Sequence, residues 1–78
     1  MKRFREKLRI LRQRDKLSQR ELSRMLDVHH SYIGQLELGQ KIPNAMMILK
    51  IADIFGVTTD QLMRDELELD GYTGTLND

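Results

Sequence analysis

The sequence predicts an all-α fold, a compact domain of five short helices. Three observations carry that expectation. Apolar residues recur at three- and four-residue spacings in successive segments. Two capping boxes open helices at Ser18 and Thr58. Gly39 and Gly56 stand where helices should stop. At 78 residues the chain holds one modest core, and 40% hydrophobic with 32% charged residues places it among globular rather than disordered sequences.

Each element has its own warrant. The first helix is expected over about 2–14, where Phe4, Leu8 and Leu11 form a stripe and basic residues fill the other faces. The second opens at Ser18-Gln19-Arg20-Glu21, where the Ser18 hydroxyl can accept from the Glu21 amide and Glu21 can reach back; Leu22, Met25 and Leu26 follow as its apolar stripe. The third is expected over about 30–38, with Ile33 and Leu36 inward and Gly39 as its left-handed stop. The fourth follows Pro43, with Asn44 as N-cap, and runs to about Phe55. The fifth opens at Thr58-Thr59-Asp60-Gln61, carries Leu62 and Met63, and continues to about Leu67 or Leu69. Residues 1–64 then form the domain and residues 65–78 a loosely ordered acidic tail, with two short strands around Asp70-Gly71, or a fraying helix stopped at Gly71, as the alternatives.

The near-neutral net charge hides an asymmetry. Residues 1–41 hold eleven Lys/Arg against five Asp/Glu, and residues 42–78 hold two against seven. A basic first half suits a polyanionic partner. The absence of cysteine excludes disulfides and thiolate metal sites and fits a cytoplasmic setting. His29 and His30 point about 100° apart on a helix and lack a third ligand, so no metal is expected. Neither histidine has a nucleophile with supporting geometry, and no glycine-rich phosphate loop exists, so neither an enzyme nor a cofactor is expected. Lys50 and Asp53 interrupt the longest apolar stretch, which excludes a membrane span, and the basic N-terminus leads into no apolar signal core. The five methionines read as core filler.

Only Asp27-Val28-His29 separate the second and third helices. A linker that short forces a steep crossing, with Val28 plugging the core beneath the turn, which is helix-turn-helix geometry. Here the residues resemble a known family. Leu17-Ser18-Gln19-Arg20-Glu21-Leu22-Ser23, Asp27-Val28-His29-His30-Ser31-Tyr32-Ile33-Gly34-Gln35-Leu36-Glu37-Leu38-Gly39, Pro43-Asn44, Ile48-Leu49-Lys50-Ile51-Ala52, Phe55-Gly56-Val57 and Asp60-Gln61-Leu62 are similar, in order and spacing, to the phage-repressor family (lambda and 434 repressors, Cro and Xre-like regulators). The likeness covers the chain from about Leu8 to Met63.

That resemblance implies a lambda-repressor-like domain in which the third helix reads DNA. The residue at Gln19 would touch the DNA backbone, and His30, Ser31 and Gln35 would face base edges. The chemistry suits them: Gln35 can pair with adenine through two hydrogen bonds, His30 can donate to guanine, and Ser31 can donate or accept. Tyr32, Lys41 and Arg20 are placed for phosphate, while Arg12 would form a structural ion pair with Glu37. Three departures stand out. Asp27 replaces a glycine at the turn, His29 replaces a capping serine or threonine and so is either a poor cap or a DNA contact, and Leu38 replaces a polar residue. Arg5 and Arg9 read as a solvated helix face.

The fourth helix is apolar over an arc of roughly 220°, where one core contact needs about 100°. Met47 and Ile54, with Leu49, are the expected surplus and hence the expected dimer interface. The expected function is sequence-specific binding of double-stranded DNA by a homodimer on a two-fold-related operator. Regulation would be by occupancy, since 78 residues leave no room for a sensor domain. The alternative is an antitoxin whose acidic tail grips a basic toxin protein.

Overall fold

The computed structural model describes residues 1–69. Five helices form in order: α1 (Phe4–Arg14), α2 (Gln19–Met25), α3 (Tyr32–Glu37), α4 (Ala45–Phe55) and α5 (Thr59–Met63). The N-terminal signals act as the chemistry dictates. The Ser18 hydroxyl accepts from the Glu21 amide at 2.9 Å while the Glu21 carboxylate takes the Ser18 amide at 2.8 Å. Thr58 and Gln61 repeat the arrangement at 3.0 and 2.9 Å. Asn44 accepts from Met47 at 2.8 Å.

The helix ends share one device. After α1, α2, α3 and α4 the chain turns through Lys16, Asp27, Gly39 and Gly56, all at positive φ. In each case the next residue donates back across the turn: Leu17 to the Arg12 carbonyl, Val28 to Ser23, Gln40 to Gln35 and Val57 to Ala52. These are Schellman closures, which satisfy carbonyls that the helix leaves open. Glycine enters this conformation without strain, whereas Lys16 at φ 57° and Asp27 at φ 59° carry some. Leu17, Val28 and Val57 then tuck their side chains against the core.

One core joins all five helices. Leu8 and Leu11 of α1, Leu22 of α2, Ile33 of α3, Ile51 of α4 and Leu62 of α5 are fully buried. α3 packs on both α1 and α2, and α5 packs on α4 and α1. The charge-rich first half is thereby assembled around α3.

The structure corrects the expected boundaries in four places. α1 begins at Phe4 rather than near residue 2, because the Lys2 and Arg3 amides donate to the Asp65 carboxylate, both at 2.9 Å. α3 begins at Tyr32 rather than His30, after a tight turn in which the Tyr32 amide donates to the His29 carbonyl. α5 stops at Met63 rather than running to Leu67 or Leu69, because Arg64 is extended at ψ 117°. Within the expected tail, residues 65–69 dock on α1: Leu69 is buried in the core, and Arg3 pairs with Glu68 at 3.1 Å. The two-strand reading of Leu67–Thr73 extends beyond the described residues, and no strand forms over 67–69.

At the centre of this docking lies Lys7, which is only 1% exposed. Its Nζ donates to the carbonyls of Gln61, Arg64 and Leu67 at 2.5, 2.8 and 2.6 Å. The ammonium thus closes the C-terminal end of α5 and the turn that follows. Burial lowers its proton affinity, and the nearby charge of Arg3 acts in the same direction. Asp65 and Glu68 titrate below the usual carboxylate range, Asp65 because it accepts backbone amides and Glu68 because it pairs with Arg3.

A fifth correction concerns α4. Met47 is 9% exposed and belongs to the core, and Ile54 is half-buried against it. Leu49 is exposed at 47%, as expected, and its exposed apolar neighbours are Met46 at 60% and, in the preceding loop, Ile42 at 82%.

Candidate nucleic-acid interface

The α2–α3 unit is held from beneath and from one end. Beneath it, Leu22, Leu26, Ile33 and Leu36 are buried, and the Ser23 hydroxyl, fully buried in α2, donates to the His30 carbonyl at 3.3 Å. At the end lies Glu37, the last residue of α3 and 3% exposed. Arg12 donates to its carboxylate through Nε at 2.6 Å and Nη2 at 3.1 Å. The remaining Arg12 nitrogen, Nη1, donates to the Leu17 carbonyl at 2.9 Å. The Gln19 amide adds a third donor to Glu37 at 3.0 Å. Glu37 therefore ties α1, the start of α2 and the end of α3 to one buried carboxylate, and charge-assisted pairing of this geometry offsets the desolvation.

Gln19 packs across Gly34 as well, where a Cβ would stand 3.1 Å from its Oε1. The small residue lets α3 approach the start of α2. Gln19 is exposed and already engaged with Glu37, so its orientation is fixed.

At the other end of α3, His29, His30 and Ser31 are exposed. His29 Nδ1 accepts from the Ser31 amide at 3.2 Å and lies 2.9 Å from its hydroxyl. A serine or threonine would supply an oxygen to such a donor; here the ring nitrogen does so. An accepting Nδ1 places the proton of the neutral ring on Nε2, which is then the donor. The His29 and His30 rings lie close, with centroids 4.2 Å apart and planes tilted by 31°.

Tyr32 and Gln35 are half-buried on α3, and Arg20 and Lys41 are exposed. Burial raises the Tyr32 hydroxyl, which stays a neutral donor. Among the described residues no hydrogen bond or ion pair engages the side chains of Arg20, His30, Gln35 or Lys41. They are polar groups left available beside a rigidly held helix. Arg20 shares a cleft of about 250 Å³ with Arg24, Asp27, Val28 and His30. Arg24 was absent from the residues expected at the site; its signal is the four-residue step from Arg20, which sets both on one face of α2.

Two short helices, α2 and α3, packed on each other and joined by a short turn at positive φ, with uncommitted polar side chains at and beside α3, have the architecture of a helix-turn-helix unit. A family model described as Helix-turn-helix matches residues 8–62. The chain belongs to the helix-turn-helix family. This helix-turn-helix domain is of the Xre-like kind, a DNA-binding type associated with transcription regulation. No curated protein matches it. The match takes in all five helix cores but begins after Lys7 and ends before Asp65, so most of the terminal docking lies outside it. Among its described residues no cluster of His, Cys, Asp and Glu can hold a metal ion, and no helix is long and apolar enough to cross a membrane.

Proposed function

We propose that this helix-turn-helix domain binds a specific double-stranded DNA site in the cytoplasm as a homodimer and regulates transcription by occupying it. The observation that carries this reading is that His30 at the start of α3, Gln35 on it, and Arg20 and Lys41 beside it keep uncommitted side chains, next to a Glu37 junction that holds the helix end still. His29, His30, Ser31 and Gln35 read base edges in the major groove. Gln19, Arg20, Tyr32 and Lys41 hold the flanking phosphates. His29 acts through Nε2, since Nδ1 is engaged within the turn.

Replacing Gln35 with alanine should cost about 1–3 kcal/mol at one base position and relax preference there. Binding titrations on a duplex selected from random DNA, and on single-base variants of it, measure this. Equal losses on selected and random duplexes would remove Gln35 from base reading.

One half-site offers few base contacts, which favours a two-fold pair of domains. The supporting surface is the exposed stripe of Ile42, Met46 and Leu49. Sedimentation should show concentration-dependent dimers, and Leu49→Glu should shift them to monomer while leaving the helical content unchanged. A wild-type protein that stays monomeric both free and on its DNA site would rule the pairing out.

A further inference from the structure

We propose that α1 takes part in the DNA contact: Arg5 and Arg9, together with Lys41, form a phosphate-binding band that carries the footprint past the recognition helix. This rests on the reading of α3 as the helix that faces DNA.

Residues 5, 9 and 12 follow one another at helical spacing, so their side chains leave α1 on one side. That side meets the C-terminal end of α3. Arg12, mostly buried, is engaged by Glu37 and the Leu17 carbonyl. Arg9 is half-exposed and reaches Glu37 only loosely, with Nε 3.7 Å from Oε1. The same oxygen accepts from Gln19 at 3.0 Å. The Arg9 guanidinium and the Gln19 amide therefore meet at a single atom, at the start of α2.

Arg5 continues the line. Its Nη1 donates to the Leu38 carbonyl at 3.3 Å, and the guanidinium lies over Gly39, where a Cβ would overlap it. One anchored nitrogen leaves most of the guanidinium's donors free. Lys41 and Lys2 line the adjoining cleft, of about 300 Å³, above Phe4, Leu36 and Pro43. The band thus runs without a break from Gln19 through Arg9 and Arg5 to Lys41. Two carboxylates border it. Glu37 is buried and neutralised by Arg12, and Glu6 pairs with Arg3 at 3.4 Å. Neither cancels the exposed guanidinium charge. A row of pre-positioned cations continuous with the Gln19 corner suits the sugar-phosphate backbone, which attracts charge whatever its sequence.

The test is the salt dependence of binding. The probes are a duplex selected from random DNA by the wild-type protein and a random-sequence duplex of equal length. The log–log slope of affinity against salt should shrink by about 0.9 for Arg5→Gln and again for Arg9→Gln. Affinity should fall in parallel on both probes, with base preference unchanged. Arg5→Lys and Arg9→Lys retain the charge and should retain the slope, which separates phosphate contact from a purely helix-closing role. A wild-type slope in both glutamine variants overturns the band and leaves the DNA-binding reading standing. Failure of the wild-type protein to bind either duplex overturns both.

Discussion

Replacing Glu37 with alanine is expected to cost about 3–5 kcal/mol, the loss seen when a buried ion pair is broken from one side. Arg12 would keep its charge in a largely buried setting with only the Leu17 carbonyl to receive it, and the Gln19 amide would lose its acceptor. Against a total stability of about 5–15 kcal/mol for a domain of this kind, that is a large share. The midpoint of thermal unfolding should fall by roughly 12–40 °C, at about 4–8 °C per kcal/mol for a small domain. Glu37→Gln retains an acceptor and should lose less, with base preference intact in the folded fraction. An alanine variant that melts with the wild type would show that Glu37 does not tie the helices together.

The second large effect is expected at Lys7. Lys7→Met keeps an apolar stem of similar length and removes the ammonium, leaving the Gln61 and Leu67 carbonyls without their donor while the Arg64 carbonyl keeps the Leu67 amide at 3.1 Å. Each unsatisfied buried acceptor costs about 1–3 kcal/mol, and water can reach part of this cluster, so the net loss should be about 3 kcal/mol. The wild type also carries a pH signature. Burial sets the Lys7 pKa below its ordinary 10.5, so in the interval between the two values the unfolded chain binds more protons than the folded one. Folding therefore gains from this group as pH rises through that interval toward 10.5, having carried the full cost of the buried charge below it. Urea unfolding at alkaline pH should show this rise in the wild type relative to Lys7→Met. Equal stability of the two proteins at neutral pH would refute the role of the ammonium.

What the sequence disclosed and what it hid follow from range. The signals at Ser18, Asn44 and Thr58 act over three residues, and the closures at Gly39 and Gly56 are equally local, so residue order reveals them. The docking of residues 65–69 does not work that way. Arg3 meets Asp65 and Glu68 across more than 60 residues, and nothing near either partner announces the pairing. Lys7 had a readable trace: Phe4, Leu8 and Leu11 place position 7 on the inward side of α1, yet a lysine there counts as surface charge in any tally of composition. The exposed side of α4 was misplaced by one residue, from Met47 to Met46. A single step turns the helix by about 100°, and an apolar arc of roughly 220° has no polar edge sharp enough to fix the register. At α3 the sequence marked His29 as a departure from a capping residue, but only the geometry showed its ring nitrogen taking over the oxygen's task.

The three carbonyls held by Lys7 also set an order of assembly. α1 is made before the other four helices, yet its buried ammonium has no partner until Gln61, Arg64 and Leu67 have followed. Synthesis at about 5–20 residues per second separates those events by several seconds. For the latter half of that interval α2 and α3 are already made, while α1, on which α3 packs, still lacks its last support. A nascent chain halted before Leu67 would carry α3 on an unfinished scaffold, so the helix-turn-helix unit gains its full support only when the turn after α5 arrives.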